Sequence, residues 1–102
     1  IALVRVSNPS DYGVPILDGN RILEFLEKPK NPPSDFVNCG LFIFEPSIFD
    51  YADQSKKSIS NEYDIFPALA AAGKLSGYKL EASARWYDTG TFERWERAIK
   101  EW

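Results

Sequence analysis

Ile1 to Val6 is an aliphatic run rich in β-branched residues and predicts a fully buried strand, which Asn8-Pro9-Ser10-Asp11 breaks with turn formers. Val14 to Leu17 and Arg21 to Leu26 flank Asp18-Gly19-Asn20, a strong hairpin signal. On simple alternation Ile22, Glu24 and Leu26 face one way and Leu23 and Phe25 the other, so both faces of that strand carry apolar groups. Lys28 to Asp35, with its three prolines, reads as an irregular loop suited to gating a ligand. Asn38 to Phe44 predicts a central strand, and Pro46 stands where a helix begins, with Ile48, Phe49 and Ala52 turned inward. Asn61 to Ala72 predicts a helix capped by Asn61 or Asp64, with Pro67 near its first turn and Gly73 at its end. Leu75 to Glu81 and Arg85 to Tyr87 read as short strands. The last helix, opened by Thr91 and Glu93, carries Phe92, Trp95, Ile99 and Trp102 at three- and four-residue steps, a stripe expected to pack as core.

This order of elements fits an α/β fold, a mixed sheet flanked by helices, in a single domain spanning residues 1–102. Composition agrees: 102 residues, 44% hydrophobic and 26% charged, describe an ordinary globular domain, and seven Phe, five Tyr and three Trp give it a largely aromatic core. A net charge of −3 without a basic cluster argues against a nucleic-acid surface. The longest apolar runs fall well short of the ~20 residues of a membrane span, so no membrane partner and a cytoplasmic setting are expected. The single Cys39 suits a reducing compartment. The absence of histidine excludes Ser-His-Asp and Cys-His nucleophilic machinery, and with one cysteine it excludes the usual zinc sites. There is no methionine and Ile1 enters a strand directly, so the sequence is expected to lack its own beginning, either as a piece of a longer protein or with a leader omitted.

The chemistry concentrates at Glu27-Lys28-Pro29. A carboxylate that accepts from hydroxyls sits beside an ammonium that seeks phosphate, and proline turns both away from the sheet ladder. By itself such a pair is an ordinary solvated turn that contributes little. Asp88, in Asp-Thr-Gly, is by itself an ordinary turn cap.

Five segments in order alter those readings: Tyr12-Gly13-Val14; Glu27-Lys28-Pro29; Asn38-Cys39-Gly40 leading into Leu41-Phe42-Ile43-Phe44; Asp64-Ile65-Phe66-Pro67 through Gly77-Tyr78; and Trp86-Tyr87-Asp88-Thr89-Gly90-Thr91. Together they resemble the sugar-1-phosphate nucleotidylyltransferases, the glucose-1-phosphate thymidylyltransferases and mannose-1-phosphate guanylyltransferases among them, over nearly the whole chain. The resemblance is to the carboxy-terminal half of a Rossmann-like catalytic domain that transfers nucleotides to sugar phosphates. The Gly-rich nucleotide loop and the Gly-Asp pair that supplies the first metal carboxylate do not occur here.

The resemblance implies an in-line attack of a sugar-1-phosphate on a nucleoside triphosphate, yielding a nucleotide sugar and pyrophosphate without a protein nucleophile. It implies that Gly13 presents backbone to the sugar, Glu27 accepts from its hydroxyls, Lys28 holds its phosphate, Asn38 and Gly40 add hydrogen bonds, and Asp88 is the second Mg²⁺ carboxylate. Lys28 and Asp88 are its catalytic candidates. Without the first Asp and a nucleotide, Mg²⁺ is expected to bind poorly and the chain to be inactive by itself. Cys39 replaces the small residue, usually Ala, expected there. An alternative is a free-standing oligomerising or binding module built on the half-fold. Its unpaired sheet edge and uncovered face predict a homodimer or a complex with a separate amino-terminal half.

Overall fold

In the computed structural model, which describes residues 1–102, Ala2–Arg5 forms strand β1 at the middle of a three-stranded sheet. Ala2, Leu3 and Val4 are buried, as an aliphatic run with neighbours on both sides requires. Phe36–Asn38 (β4) pairs antiparallel with it, setting Val4 opposite Val37, and Tyr78–Lys79 (β5) pairs parallel on the other side. The predicted hairpin forms as Gly13–Asp18 (β2) and Arg21–Glu27 (β3), with Gly19 at φ +60°, the positive value a tight hairpin turn asks of its first position.

Within β3 the faces differ from simple alternation. Ile16 pairs with Glu24 but Leu17 pairs with Ile22, so Leu23 is an extra residue that bulges out of the ladder. The bulge puts Ile22 and Phe25 on the same buried side and leaves Leu23 exposed. They join Ile65, Phe66, Leu69, Ala70 and Leu75 in the larger of two apolar clusters; Val4, Val14 and Val37 centre the smaller one.

The central strand expected over Asn38 to Phe44 ends at Asn38. Gly40 adopts φ +85°, and after Leu41, whose carbonyl accepts from the Ala2 amide at 3.0 Å, the segment has no strand beside it. Its side chains still alternate: Phe42 and Phe44 turn inward onto the Phe66 ring at 5.3 and 5.9 Å, while Leu41 and Ile43 face out, Ile43 with 91% exposure. Pro46–Tyr51 is a 3-10 helix. With three residues per turn, Ile48 and Tyr51 share the face packed on the core, and Phe49, expected to turn inward, is 71% exposed.

The predicted helix over Asn61 to Ala72 divides into a wide π turn, Asn61–Ile65, and α1, Phe66–Ala71. Its cap is neither Asn61 nor Asp64 but Ser60, whose Oγ accepts from the Tyr63 amide at 3.2 Å. The Asp64 carboxylate reaches back to accept from the Ser60 amide at 2.8 Å, so the pair satisfies two amides at the start of the turn. Gly73, at φ +69°, ends the helix as predicted. Of Leu75 to Glu81 only β5 is strand, and Arg85 to Tyr87 forms none. Phe92–Glu101 is helix α2, capped by Thr91, whose Oγ1 accepts from the Arg94 amide at 3.2 Å. Its stripe does not reach the core: Phe92, Trp95, Ile99 and Trp102 are all exposed. No helix is long and apolar enough to cross a membrane.

Candidate functional site

The ends of three strands meet on one side of the molecule. Gly13 opens β2 directly opposite Glu27 at the end of β3, and Asn38 closes β4. Between them lies a cavity of about 310 Å³ lined by Gly13, Glu27, Asn38, Gly40 and Asp88, together with Tyr12, Cys39, Phe42, Glu62 and Trp86. Five of the six residues singled out from the sequence therefore line one cleft. Lys28 is the exception: it is exposed and does not line the cavity. It holds a left-handed φ of +49°, rare for a side chain outside glycine, while its amide donates to the Tyr12 carbonyl at 3.0 Å. Pro29 disfavours the right-handed helical region for the residue before it, and the resulting turn leaves Lys28 exposed beside the cleft.

Gly13 has no space for a side chain. A Cβ there would come within 2.3 Å of the Phe25 ring and 2.9 Å of Glu27 Oε2, so the absence of one is what brings the Glu27 carboxylate against the backbone. Burial raises the pKa of Glu27 above the ordinary glutamate range, the Glu62 carboxylate adds to the effect, and Lys28 opposes it. Asn38 Oδ1 accepts the Gly40 amide at 2.9 Å, a local turn that leaves its Nδ2 group as the donor available to a ligand.

Asp88 arrives from a distant loop. Trp86 anchors that loop by donating from Nε1 to the Cys39 carbonyl at 3.0 Å and by packing edge-on against Tyr12, with ring centres 5.4 Å apart. Cys39 is thus half-buried beside the cleft, with its carbonyl as the contact. Asp88 Oδ1 accepts from the Gly90 amide at 3.0 Å, and Oδ2 accepts from Arg94 Nη1 at 2.5 Å. Nη2 of Arg94 reaches Asp11 Oδ2 at 2.7 Å, and the guanidinium lies 5.2 Å over the Tyr12 ring.

This donor set does not fit a divalent cation. Each Asp88 oxygen already accepts a hydrogen bond, one of them from a positive charge, and no group of three potential metal-binding side chains gathers anywhere in the chain. Glu62 and Arg94 escaped the sequence reading. Glu62 sits in the wide π turn ahead of α1, and Arg94 meets Asp11 across most of the chain, so neither contact leaves a spacing signal.

A family model described as nucleotidyl transferase matches residues 1–101. A mannose-1-phosphate guanylyltransferase from Mycobacterium tuberculosis is 38% identical over 98 residues, which are 95% of this chain and 27% of the relative. The bifunctional protein GlmU from Methanococcus aeolicus is 37% identical over 92 residues, 88% of this chain and 22% of that protein. A crystal structure from Bacillus anthracis, described as a glucose-1-phosphate thymidylyltransferase in complex with a sucrose, superposes with a TM-score of 0.81 at 28% identity, covering 97% of this chain and 41% of that one. The chain thus spans about a quarter of the length of the curated relatives it matches. It shares with that structure a Rossmann-like α/β fold. With a match running over nearly all of its residues, the chain belongs to the nucleotidyl transferase family.

Proposed function

We propose that this chain is the sugar-phosphate-binding part of a sugar-1-phosphate nucleotidylyltransferase, the class of reaction named for its mannose-1-phosphate and glucose-1-phosphate relatives. The observation that carries this reading is the gathering of Gly13, Glu27, Asn38, Gly40 and Asp88 around one cleft. In it the sugar ring lies against the Gly13 backbone, Glu27 accepts from ring hydroxyls, and Asn38 Nδ2 and the Gly40 backbone supply further hydrogen bonds. Lys28, at the mouth, meets the phosphate. Glu27 and Glu62 make the inner wall acidic, so the phosphate faces outward and the hydroxyls inward.

In the whole reaction the sugar phosphate attacks the nucleoside triphosphate in line, and the nucleotide is held by parts of the domain outside this chain. Mg²⁺ belongs to that assembled domain and to no step taken by these residues alone. Two charge-assisted hydrogen bonds contribute about 3–6 kcal/mol before ordering costs, and a millimolar dissociation constant corresponds to about −4.1 kcal/mol. Weak binding without turnover is the expected behaviour in a cytoplasmic setting.

The test is an NMR titration of the labelled chain with glucose-1-phosphate or mannose-1-phosphate at millimolar concentration. Shifts clustered at Gly13, Glu27, Lys28 and Asn38 are expected; silence there overturns the reading. Turnover of the isolated chain with nucleoside triphosphate, sugar-1-phosphate and Mg²⁺ overturns the claim of inactivity. A second reading, a binding or oligomerising module without catalysis, is favoured by the exposed Leu41 and Ile43 and the exposed α2 stripe.

A further inference from the structure

We infer that Arg94 is an internal cation, standing between Asp88 and Asp11 and keeping divalent cations off Asp88 in this chain. One guanidinium bridges both carboxylates, through Nη1 to Asp88 Oδ2 at 2.5 Å and through Nη2 to Asp11 Oδ2 at 2.7 Å. Asn8 Nδ2 also donates to Asp11 Oδ2 at 2.7 Å, and the Gly90 amide holds the other Asp88 oxygen. Arg94 is fixed from its own side as well, by the hydrogen bond its backbone amide donates to Thr91 Oγ1 and by the Tyr12 ring beneath its guanidinium. The planar fork therefore needs little further ordering to hold both partners.

A divalent cation of the magnesium type takes one or two carboxylates at short range. To reach Asp88 it must first displace a guanidinium bound by two charge-assisted hydrogen bonds, with the repulsion of that guanidinium in its way. Occupation of Asp88 by a metal competes with its pairing with Arg94. Removing the guanidinium leaves Asp11 and Asp88 facing a common gap, which is itself a donor set of the kind such a cation prefers. This runs against the metal role that the family resemblance implies for Asp88, and it stands whether or not the cleft binds a sugar phosphate.

Mn²⁺ alone, added to the ¹⁵N-labelled full chain, reads it directly, because bound Mn²⁺ broadens nearby amide signals. In the unaltered chain the Asp88 and Gly90 signals are expected to broaden no more than those of the exposed Asp53. Arg94→Gln is expected to lose the Asp11, Asp88 and Gly90 signals selectively, and Arg94→Lys, which keeps the charge, is expected to stay unbroadened. Selective broadening at Asp88 in the unaltered chain overturns the inference. So does an Arg94→Gln chain that gains nothing while its Leu3 and Phe66 amides keep their positions. If Arg94→Gln does not fold, Asp88→Asn decides: an unchanged Mn²⁺ response around Tyr12 and Gly13 is expected, and a diminished one overturns the inference.

Discussion

Gly13 is where one missing side chain shapes the cleft. Gly13→Ala forces a methyl group into the Phe25 ring, and we expect a loss of about 1–3 kcal/mol in urea unfolding, the usual cost of overpacking. Glu27 makes a pH-dependent contribution. Burial and then Glu62 raise its pKa above the ordinary value of 4.5, so the folded chain keeps this proton to a higher pH than the unfolded chain. Stability therefore falls with rising pH across that window, and the charged Glu27 costs stability at neutrality. Glu27→Gln is expected to stabilise the fold near pH 7, with the gain fading as pH falls through the raised folded value and gone below the ordinary one; paired urea melts near pH 7 and pH 4 check it. Gly13, Glu27 and Asn38 were legible in the sequence because each sits in a short motif shared with the family. Glu62 and Arg94 were not, because their partners are set by tertiary packing.

At the scale of elements, Phe66 of α1 organises the larger core. Phe25, Phe42 and Phe44 all pack their rings within 6 Å of it, from β3 and from the segment after β4. Phe66→Ala is expected to cost about 3–5 kcal/mol, whereas Phe49→Ala, on the outer face of its 3-10 helix, stays within about 0.5 kcal/mol of the parent in chemical denaturation. The sequence pattern turns Phe49 inward. What moves it out is helix period: at 3.6 residues per turn Phe49 joins Ile48 on the core side, and at 3.0 it leaves. The bulge at Leu23 has the same character, since one extra residue inverts the faces that alternation predicts.

Across the whole molecule, apolar side chains collect where no element covers them. Leu41 and Ile43 are exposed on the segment that follows β4, and Phe92, Trp95, Ile99 and Trp102 line one side of α2 and its end. Such uncovered apolar groups are a template for association. We expect sedimentation velocity to show the chain associating as its concentration rises into the micromolar range, and Ile43→Lys to shift it toward monomer by placing charge among them. A monodisperse monomer at high concentration would count against this.

The sequence by itself determined the buried run of β1, the hairpin and its turn, the glycine end of α1, the Thr91 start of α2 and the motifs that mark the family. All are local: they rest on period, on turn chemistry and on glycine's access to positive φ, and each acts within a few residues. Only the tertiary structure decided that Asn38 to Phe44 is not a central strand, because a strand is defined by neighbours, and this segment has none on its outer side. It alone decided that Lys28 stands outside the cleft its neighbour lines, and that Asp88 is held by Arg94. Those outcomes depend on which charged groups the fold brings within reach of one another, a matter of distance in space that spacing in sequence does not encode.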